Sequence, residues 1–488
     1  MNKHEPGIDN GIDGSRFLRD MGWYLLGTVI PMAAGFIRTP VFTRYFTPEE
    51  YGYLGIVTIT FTYLSVAIYS WLASCLWRYY NYYKRKGSLD ALYSNILLLF
   101  LISSLLLGAI SAVWAGLSEM ALVRNLVLLS LARFLIAEIV SLILITLRLE
   151  GKALEYNLYH SSRAVFSLGL LLILTFGYSM RIEAVIISTF AVDLVILLLL
   201  LLLKKKRIPV RTGFISKEVI KQLLIFGSAG LVANLSLLIL TSSDRYIIAL
   251  FWDMADVGIY NQVYNISQLS IMALVTVYFN TINPTLNREL EFNFRGSLNL
   301  INDYIRILLL FGLPVTVLAS LYSRELSFIL LGQDFREGFV IMPFIFFSAF
   351  LYGISLFPEA RLKFSNRLKA IAFAVLLSGA LNIALNFVWV PIQGYPAAAY
   401  TTLISYAILL IIYFLNTDIR FFSYRSNYRY FAVPVLVLAA EVIIALLIRR
   451  WYNPGLLLSF AEGLLFLMIY LLAVRRKIRN LDLHHLVR

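Results

Sequence analysis

Residues 35–52, Gly-Phe-Ile-Arg38-Thr-Pro-Val-Phe-Thr-Arg44-Tyr-Phe-Thr-Pro-Glu-Glu-Tyr-Gly52, decide the fold of this chain. They close a long apolar segment that begins near Leu18 and that carries Arg38 before it ends. A guanidinium inside a membrane helix costs insertion free energy, so such a residue usually faces a water-filled cavity or a partner. The alternative is that the long Arg38 side chain snorkels to the nearby interface.

The composition is that of a polytopic membrane protein. Of 488 residues, 60% are hydrophobic and 14% are charged, whereas a soluble domain is roughly 45–50% apolar. The net charge of +14 does not predict a nucleic-acid partner, because the basic residues cluster between apolar runs, as in cytoplasmic loops. Cys75 is the only cysteine, so no intrachain disulfide is expected. The first fifteen residues lack the apolar core of a cleavable signal, so the first membrane helix is expected to be an uncleaved anchor.

Fourteen apolar runs are long enough to cross about 30 Å of hydrocarbon. They lie near 20–44, 52–77, 92–116, 121–147, 153–178, 182–203, 224–250, 256–282, 304–323, 338–358, 368–390, 396–416, 430–448 and 455–474. The predicted all-α protein divides into an N-terminal six-helix lobe (1–203), a basic cytoplasmic linker (204–223), a C-terminal six-helix lobe (224–416), and two extra helices with a basic cytoplasmic tail (417–488). No loop exceeds about 20 residues, which leaves no room for an extramembrane catalytic domain, so we do not expect an enzyme.

The basic residues predict the orientation of these runs. The loops on one side hold 31 Lys and Arg residues and those on the other side hold 8. Cytoplasmic loops carry such an excess, so both termini are expected in the cytoplasm. Three further arginines, Arg133, Arg163 and Arg245, fall inside the apolar runs and are counted on neither side.

The two predicted lobes begin alike. Arg38 precedes Gly52 by 14 residues at the end of the first run, and Arg245 precedes Gly258 by 13 at the end of the seventh. In both cases we interpret the glycine as part of a turn by which the helix exits. Both runs lead outward and each opens a six-helix set, so the sets have the same orientation. Parallel repeats of this kind enclose a central cavity and work by alternating access.

The motifs themselves resemble a known family. Arg38-Thr-Pro with Tyr45-Phe-Thr-Pro-Glu-Glu-Tyr-Gly52, and Ser243-Asp244-Arg245-Tyr-Ile-Ile with Val257-Gly258-Ile-Tyr260, are similar to the polysaccharide transporter (O-antigen flippase) family. That family belongs to the multidrug, oligosaccharidyl-lipid and polysaccharide exporter superfamily. The resemblance implies two six-helix lobes around a V-shaped cavity. Two helices beyond the twelve-helix core also occur in the related lipid II flippases.

The resemblance also implies a function in polysaccharide biosynthesis. It implies a flippase that moves an undecaprenyl-diphosphate-linked oligosaccharide, such as an O-antigen unit of lipopolysaccharide, from the cytoplasmic to the periplasmic leaflet of a bacterial inner membrane. The implied partners are this substrate, membrane lipids and the polysaccharide polymerase machinery.

Arginines inside the membrane are the predicted substrate site. Arginine suits a diphosphate because its planar fork binds two oxygens and keeps its charge when desolvated. The predicted cavity residues are Arg38, Arg133, Arg163 and Arg245, with Asp244 as a partner that holds an arginine in place. The alternative is local pairing, of Arg133 with Glu138 and of Arg245 with Asp244, which would only lock helices together.

Amides follow one face of the eighth run. Asn261, Asn265 and Gln268 recur at helical spacing. Such a stripe either contacts sugar hydroxyls in a wet cavity, for which we name Asn261 and Asn265, or makes hydrogen bonds between helices.

Two intramembrane carboxylates are candidates for ion coupling. Burial raises the pKa of a carboxyl by several units, so Glu138 or Asp193 is predicted to carry a coupling proton or to contact Na⁺. The alternative is a hydrogen-bonded contact between helices.

Aromatic and histidine residues give weaker signals. The cluster Trp77-Arg78-Tyr79-Tyr80-Asn81-Tyr82-Tyr83 is more typical of an interfacial belt than of a sugar-stacking platform. His160, His484 and His485 show no metal spacing, and no phosphate-cradling glycine loop is present. We therefore expect no metal, no cofactor and no direct use of ATP.

Two rival functions remain. A cation-coupled exporter of small molecules, of the multidrug type in the same superfamily, predicts an acidic cavity, whereas the first twelve runs hold four arginines against three carboxylates. A membrane-embedded polysaccharide polymerase or ligase normally brings a sizeable periplasmic loop, which this sequence lacks.

Overall fold

The computed structural model describes residues 14–204, 212–419, 425–452 and 454–479, and within these ranges it contains helices and no strand. The α-helices are α1 (Gly14–Phe42), α2 (Pro48–Ile68), α3 (Ser70–Arg85), α4 (Leu89–Leu117), α5 (Ala121–Leu149), α6 (Ala153–Leu172), α7 (Ala184–Lys204), α8 (Lys217–Ser242), α9 (Asp244–Phe251), α10 (Met254–Phe292), α11 (Ser297–Leu321), α12 (Ser323–Leu330), α13 (Met342–Phe364), α14 (Leu368–Gln393), α15 (Tyr395–Leu415), α16 (Arg425–Trp451) and α17 (Leu456–Arg479). A π-helical turn follows α6 at Ile173–Gly177, and 3₁₀ turns lie at Thr212–Phe214 and Gln333–Ile341.

The helices confirm the predicted all-α membrane class. In the described ranges, twelve helical segments are long and apolar enough to cross a membrane. The helix α1 and the α8–α9 pair lie where the first and seventh spans are predicted but are not among the twelve. The number of fourteen spans therefore stays a prediction.

The predicted linker at 204–223 is only partly visible. Residues 205–211 lie outside the described part of the chain, as do residues 480–488 of the predicted tail. The helix α8 begins at Lys217, so the last residues assigned to the linker belong to a helix. The predicted division into lobes stays a prediction.

Two helical runs, Pro48–Arg85 and Met254–Phe292, are much longer than the membrane is thick. The helices α2 and α3 form a single run, Pro48–Arg85, of 38 residues, interrupted at Tyr69. At 1.5 Å per residue this run is about 57 Å long, and a bilayer core is about 30 Å thick. The end of α3 therefore extends beyond the hydrocarbon, on the side that the sequence assigns to the cytoplasm.

The helices α2 and α10 begin with similar caps. The Thr47 side chain accepts a hydrogen bond from the Glu50 backbone, and the Glu50 carboxylate accepts one from the Thr47 backbone N–H. At the start of α10, the Asp253 carboxylate accepts a hydrogen bond of 2.9 Å from the Asp256 backbone N–H. These caps satisfy backbone N–H groups that have no partner inside the helix.

Just after the caps, α2 and α10 cross through two glycines. A Cβ on Gly52 would lie 1.9 Å from the carbonyl oxygen of Met254, and a Cβ on Gly258 would lie 1.8 Å from that of Pro48. The contact is thus reciprocal between α2, in the first helix set (α1–α7), and α10, in the second helix set (α8–α15). The interpretation of these glycines as part of an exit turn is wrong, because both lie inside the first turns of helices and permit close backbone approach.

The contacts among the other helices define the position of the central cavity. The helix α2 packs along α10, α1 contacts α6 and α10, and α5 packs on α7. The helices α16 and α17 pack on each other and contact α11. An ion pair of 2.9 Å between Arg449 and Glu325 joins α16 to α12. The space between α1, α2, α5 and α7 on one side and α8–α10 on the other holds the candidate site.

Candidate functional site

A polar cavity of about 350 Å³ lies between the two helix sets. Its walls come from α1, α2, α5, α7, α8, α9 and α10. The structure brings five of the predicted substrate-site residues to this cavity: Arg38, Arg133, Arg245, Asn261 and Asn265. Arg163, Asp244, Glu138 and Asp193 are absent from its lining.

Arg38 and Arg133 face the cavity without a counter-ion. Neither makes a hydrogen bond or an ion pair with another residue of the described ranges, and the Nε atom of Arg133 is buried without a partner. Arg38 on α1 therefore lines the interior instead of snorkelling. The local pairing of Arg133 with Glu138, the alternative from the sequence, is not formed. The two guanidinium groups are close enough for their charges to interact.

Glu138 bonds to a neighbouring helix instead. Its carboxylate, on α5, accepts a hydrogen bond from the Ser65 hydroxyl on α2. This contact is the hydrogen-bonded alternative that the sequence left open for Glu138. The carboxylate still lies within electrostatic reach of Arg133 and Arg163.

Arg245 faces the cavity but is compensated. Its Nη1 lies 2.6 Å from Oδ1 of Asp244, and both side chains are buried, at 3% and 1% exposure. The Tyr260 hydroxyl donates to the other Asp244 oxygen. The rings of Tyr260 and Tyr264 lie 5.0 and 4.0 Å from the guanidinium carbon. This is the local pairing that the sequence offered as the alternative to a free charge.

The two tyrosines around Arg245 were missed from the sequence. Tyr260 and Tyr264 are four residues apart and therefore share one face of α10. That spacing was available in the sequence, but nothing in it indicates that this face meets Arg245. Hydroxyls of Thr58, Thr189 and Ser242 also line the cavity.

Arg163 is compensated by Asp193. Its Nε lies 2.5 Å from Oδ1 and its Nη2 lies 2.6 Å from Oδ2, which is a two-pronged contact between α6 and α7. The Asp193 side chain is fully buried. The Arg163 charge acts on Arg133, which places this pair beside the cavity.

Amides of α10 form the wall opposite these cations. Asn261 and Gln262 are 9% exposed, and the Asn265 Nδ2 donates to the Asn261 oxygen over 3.5 Å. Of the predicted amide stripe, Asn261 and Asn265 line the cavity and Gln268 does not. The wall thus offers amides that both donate and accept hydrogen bonds.

With Glu138 included, the site holds four arginines against three carboxylates, so its charges sum to an excess of one cation. Arg245 and Arg163 each have a carboxylate, whereas Arg38 and Arg133 have none among the described residues. In a low-dielectric interior, two such guanidinium groups favour binding of an anion with two or more charges.

A second, apolar cavity lies next to the polar one along α1 and α10. It measures about 1020 Å³ and lies between α1, α10 and α11, with Phe36, Val277 and Phe311 among its walls. Along α1 its residues come just before Arg38, and along α10 they come just after Leu269 of the polar cavity. A polar chamber therefore adjoins an apolar one on the same pair of helices.

Comparisons with known proteins agree with this architecture. A family model described as "Polysaccharide biosynthesis protein" matches residues 17–289, more than half of the chain. No curated protein sequence matches significantly.

Solved structures show the same fold. The lipid II flippase MurJ, in an inward closed conformation, has a TM-score of 0.70 at 16% identity, over 93% of this chain and 98% of that one. An inward-facing multidrug resistance MATE family transporter of the MOP superfamily has a TM-score of 0.62 at 15% identity, over 81% and 95%. A MOP superfamily transporter from Pyrococcus furiosus, reported with a binding pocket of reversed polarity, has a TM-score of 0.52 at 14% identity, over 86% and 99%. At these identities the likeness concerns the fold.

Proposed function

The chain belongs to the family of polysaccharide biosynthesis proteins, and we propose that it flips an undecaprenyl-diphosphate-linked oligosaccharide, such as an O-antigen or other surface polysaccharide unit, across the membrane. The family and the shared fold confirm the resemblance seen in the sequence motifs. The protein is thus a multi-pass membrane protein with the fold of flippases and transporters. The substrate, the direction and the coupling ion are parts of the proposal.

The observation that carries the proposal is the pair of uncompensated arginines. A diphosphate that crosses a bilayer core must exchange its water for donors and cations at the same depth. Arg38 and Arg133 offer two forks on one polar wall, opposite the amides of α10. A cavity for a cationic drug would need the reverse balance of charge.

The adjoining apolar cavity fits the other part of such a substrate. An undecaprenyl chain is apolar and a sugar diphosphate is polar, and the chambers along α1 and α10 have these two characters. We assign the lipid to the chamber near Phe36 and the diphosphate to the chamber at Arg38. Alternating access would then move the polar group between leaflets of the bacterial inner membrane, with both termini cytoplasmic.

The proposal is tested in a cell that lacks its own flippase. Surface polysaccharide is measured after expression of wild-type protein, Arg38→Ala or Arg133→Ala, with equal amounts in the membrane. Loss of a charge-assisted hydrogen bond costs about 1.5–3 kcal/mol, so each variant should lower export about tenfold or more. Arg38→Lys keeps the positive charge but loses the planar guanidinium fork. Its export should therefore lie between that of wild type and that of Arg38→Ala.

Arg124→Ala is the matched control, because Arg124 lies on α5 like Arg133 but is exposed. It should export at the wild-type rate. Undiminished export by both Arg38→Ala and Arg133→Ala would contradict the proposed site.

A second candidate function is a cation-coupled exporter of small molecules. The buried carboxylates Glu138 and Asp193, within electrostatic reach of the cavity arginines, favour it, because such groups bind protons or Na⁺ in transporters. Deletion of the gene should then raise drug sensitivity, and Asp193→Asn should fail to restore resistance. Unchanged drug sensitivity together with lost polysaccharide would exclude this candidate.

A further inference from the structure

Aromatic and cationic side chains form a continuous stack at the predicted cytoplasmic end of the first helix set. The guanidinium carbon of Arg148, on α5, lies 5.3 Å from the Trp77 ring centre on α3 and 5.0 Å from the Tyr156 ring centre on α6. The Tyr156 ring stacks on the His160 ring, with centroids 5.7 Å apart and planes 20° from parallel. Three helices thus contribute to one stack.

The stack leads from the cytoplasmic end towards the cavity. Tyr156, His160 and Arg163 follow spacings of four and three residues, so they share one face of α6. His160 is held in this register by a contact of 3.3 Å between its Nδ1 and the Gly27 carbonyl oxygen of α1. Arg163 in turn acts on the charge of Arg133, which lines the cavity.

The outer member of the stack is accessible. Trp77 is 45% exposed, and it lies on the part of the α2–α3 run that approaches the cytoplasmic interface. The opposite face of α3 is buried: Cys75 bonds to the Leu223 carbonyl oxygen and Tyr83 to Gln222 of α8. The accessible rings are therefore fixed on a rigid support.

We propose that Trp77, Arg148, Tyr156 and His160 form a sugar-binding platform that receives the oligosaccharide headgroup before its diphosphate reaches Arg133 and Arg38. A pyranose ring has a face of C–H groups that packs on aromatic rings, and its hydroxyls bond to guanidinium and imidazole groups at the edge. A simple interfacial belt would need rings at one membrane depth, whereas this stack runs along α6 towards the cavity. The platform rests on the proposed function, because it names the part of that substrate which it holds.

The test measures the contribution of the sugar to binding separately from that of the diphosphate. Full-length protein in lipid nanodiscs is titrated with undecaprenyl diphosphate and with undecaprenyl diphosphate that carries one N-acetylglucosamine. We expect wild type to bind the sugar-bearing lipid about tenfold more tightly, which corresponds to about 1.4 kcal/mol. Trp77→Ala and Tyr156→Ala should reduce this preference to about one while the affinity for the bare lipid stays unchanged.

Two further variants control for the fold. Trp77→Phe keeps an aromatic face and should keep most of the preference. Trp451→Ala removes a tryptophan that is 85% exposed at the C-terminal end of α16, on the predicted periplasmic side, and it should leave the preference intact.

The outcomes distinguish the two proposals. If wild type binds the bare lipid but shows no preference for the sugar, or if Trp77→Ala and Tyr156→Ala keep the preference, the platform is wrong and the proposed function stands. If wild type binds neither lipid, the proposed function fails, and the platform fails with it.

Discussion

Two pairs of residues occupy equivalent positions in the two helix sets. The glycines of one pair have the same surroundings, and the arginines of the other pair do not. Gly52 and Gly258, which follow their arginines by 14 and 13 residues, meet each other's helix in the same way. Arg38 and Arg245 do not match. Arg245 is buried against Asp244 and two tyrosines, whereas Arg38 has no counter-ion among the described residues.

The two helix sets share the glycine crossing, which is structural, and differ in the environment of their arginines, which we relate to function. The glycine crossing depends on backbone shape, so both sets need it equally. The two arginines have different roles. Arg245 is neutralised by Asp244 and stabilises the α9–α10 contact, whereas Arg38 contributes positive charge to the cavity. We infer that substrate binding is concentrated on the first helix set, with amides supplied by the second.

The largest effect is expected when the compensated arginine loses its partner. Asp244→Ala leaves the Arg245 charge buried and unpaired, which costs roughly 3–5 kcal/mol. The midpoint of thermal unfolding of the purified protein should fall markedly, as measured by intrinsic fluorescence. Arg38→Ala breaks no ion pair, so its midpoint should stay close to that of wild type.

The double variant Asp244→Asn with Arg245→Met is the control for this effect. It removes both charges together and should recover much of the lost stability, because a buried pair is often replaceable by uncharged residues. Equal losses for Asp244→Ala and Arg38→Ala would erase the contrast between the two arginines.

A smaller and symmetric effect is expected at the glycine crossing. Gly52→Ala and Gly258→Ala each place a methyl group within 2 Å of a carbonyl oxygen, and overpacking typically costs about 1–3 kcal/mol. Both should lower the unfolding midpoint by similar amounts. Gly108→Ala, where nothing lies within 4 Å of the new methyl, is the matched control. A large loss in only one of the two crossing variants would show that the crossing is not reciprocal.

Much of the fold was predictable because it depends on local patterns. Apolar runs and the Lys and Arg distribution depend on position along the chain, and each predicted run falls on helix. The breaks at Tyr69 and Ser243 were not predictable, since no proline marks them and tertiary packing decides them. The role of Gly52 was missed because its partner, the Met254 carbonyl, lies about 200 residues away.

The candidate site was only half predictable, for the same reason. The depth of an arginine in a run is visible in the sequence, so Arg38, Arg133 and Arg245 were found. Whether each has a counter-ion depends on neighbouring helices: Asp193 on α7 compensates Arg163 on α6, and Glu138 turns to Ser65. The stack at Trp77 joins three helices, so its residues showed only an aromatic cluster and an isolated histidine.

The smallest effect concerns a third Arg–Asp pair, which tests whether burial decides the strength of such pairs. Arg361 is buried and donates to Asp418, but the Asp418 side chain is 55% exposed. The hydrogen bonds from Arg361 lower the pKa of Asp418 below its usual value. A lowered carboxyl pKa stabilises the folded state above the unfolded pKa, near 4, and this stability is lost as pH falls through the folded pKa.

Solvent screening limits this contribution to about 1 kcal/mol or less. The thermal unfolding midpoint of wild type should therefore lie slightly above that of Asp418→Asn at pH 7 and at pH 5. The two midpoints should converge below about pH 4. A gap that persists unchanged at low pH would mean that the Asp418 charge contributes nothing. A gap as large as that for Asp244→Ala would mean that burial does not distinguish the pairs, and the reason given for the different fates of Arg38 and Arg245 would fail.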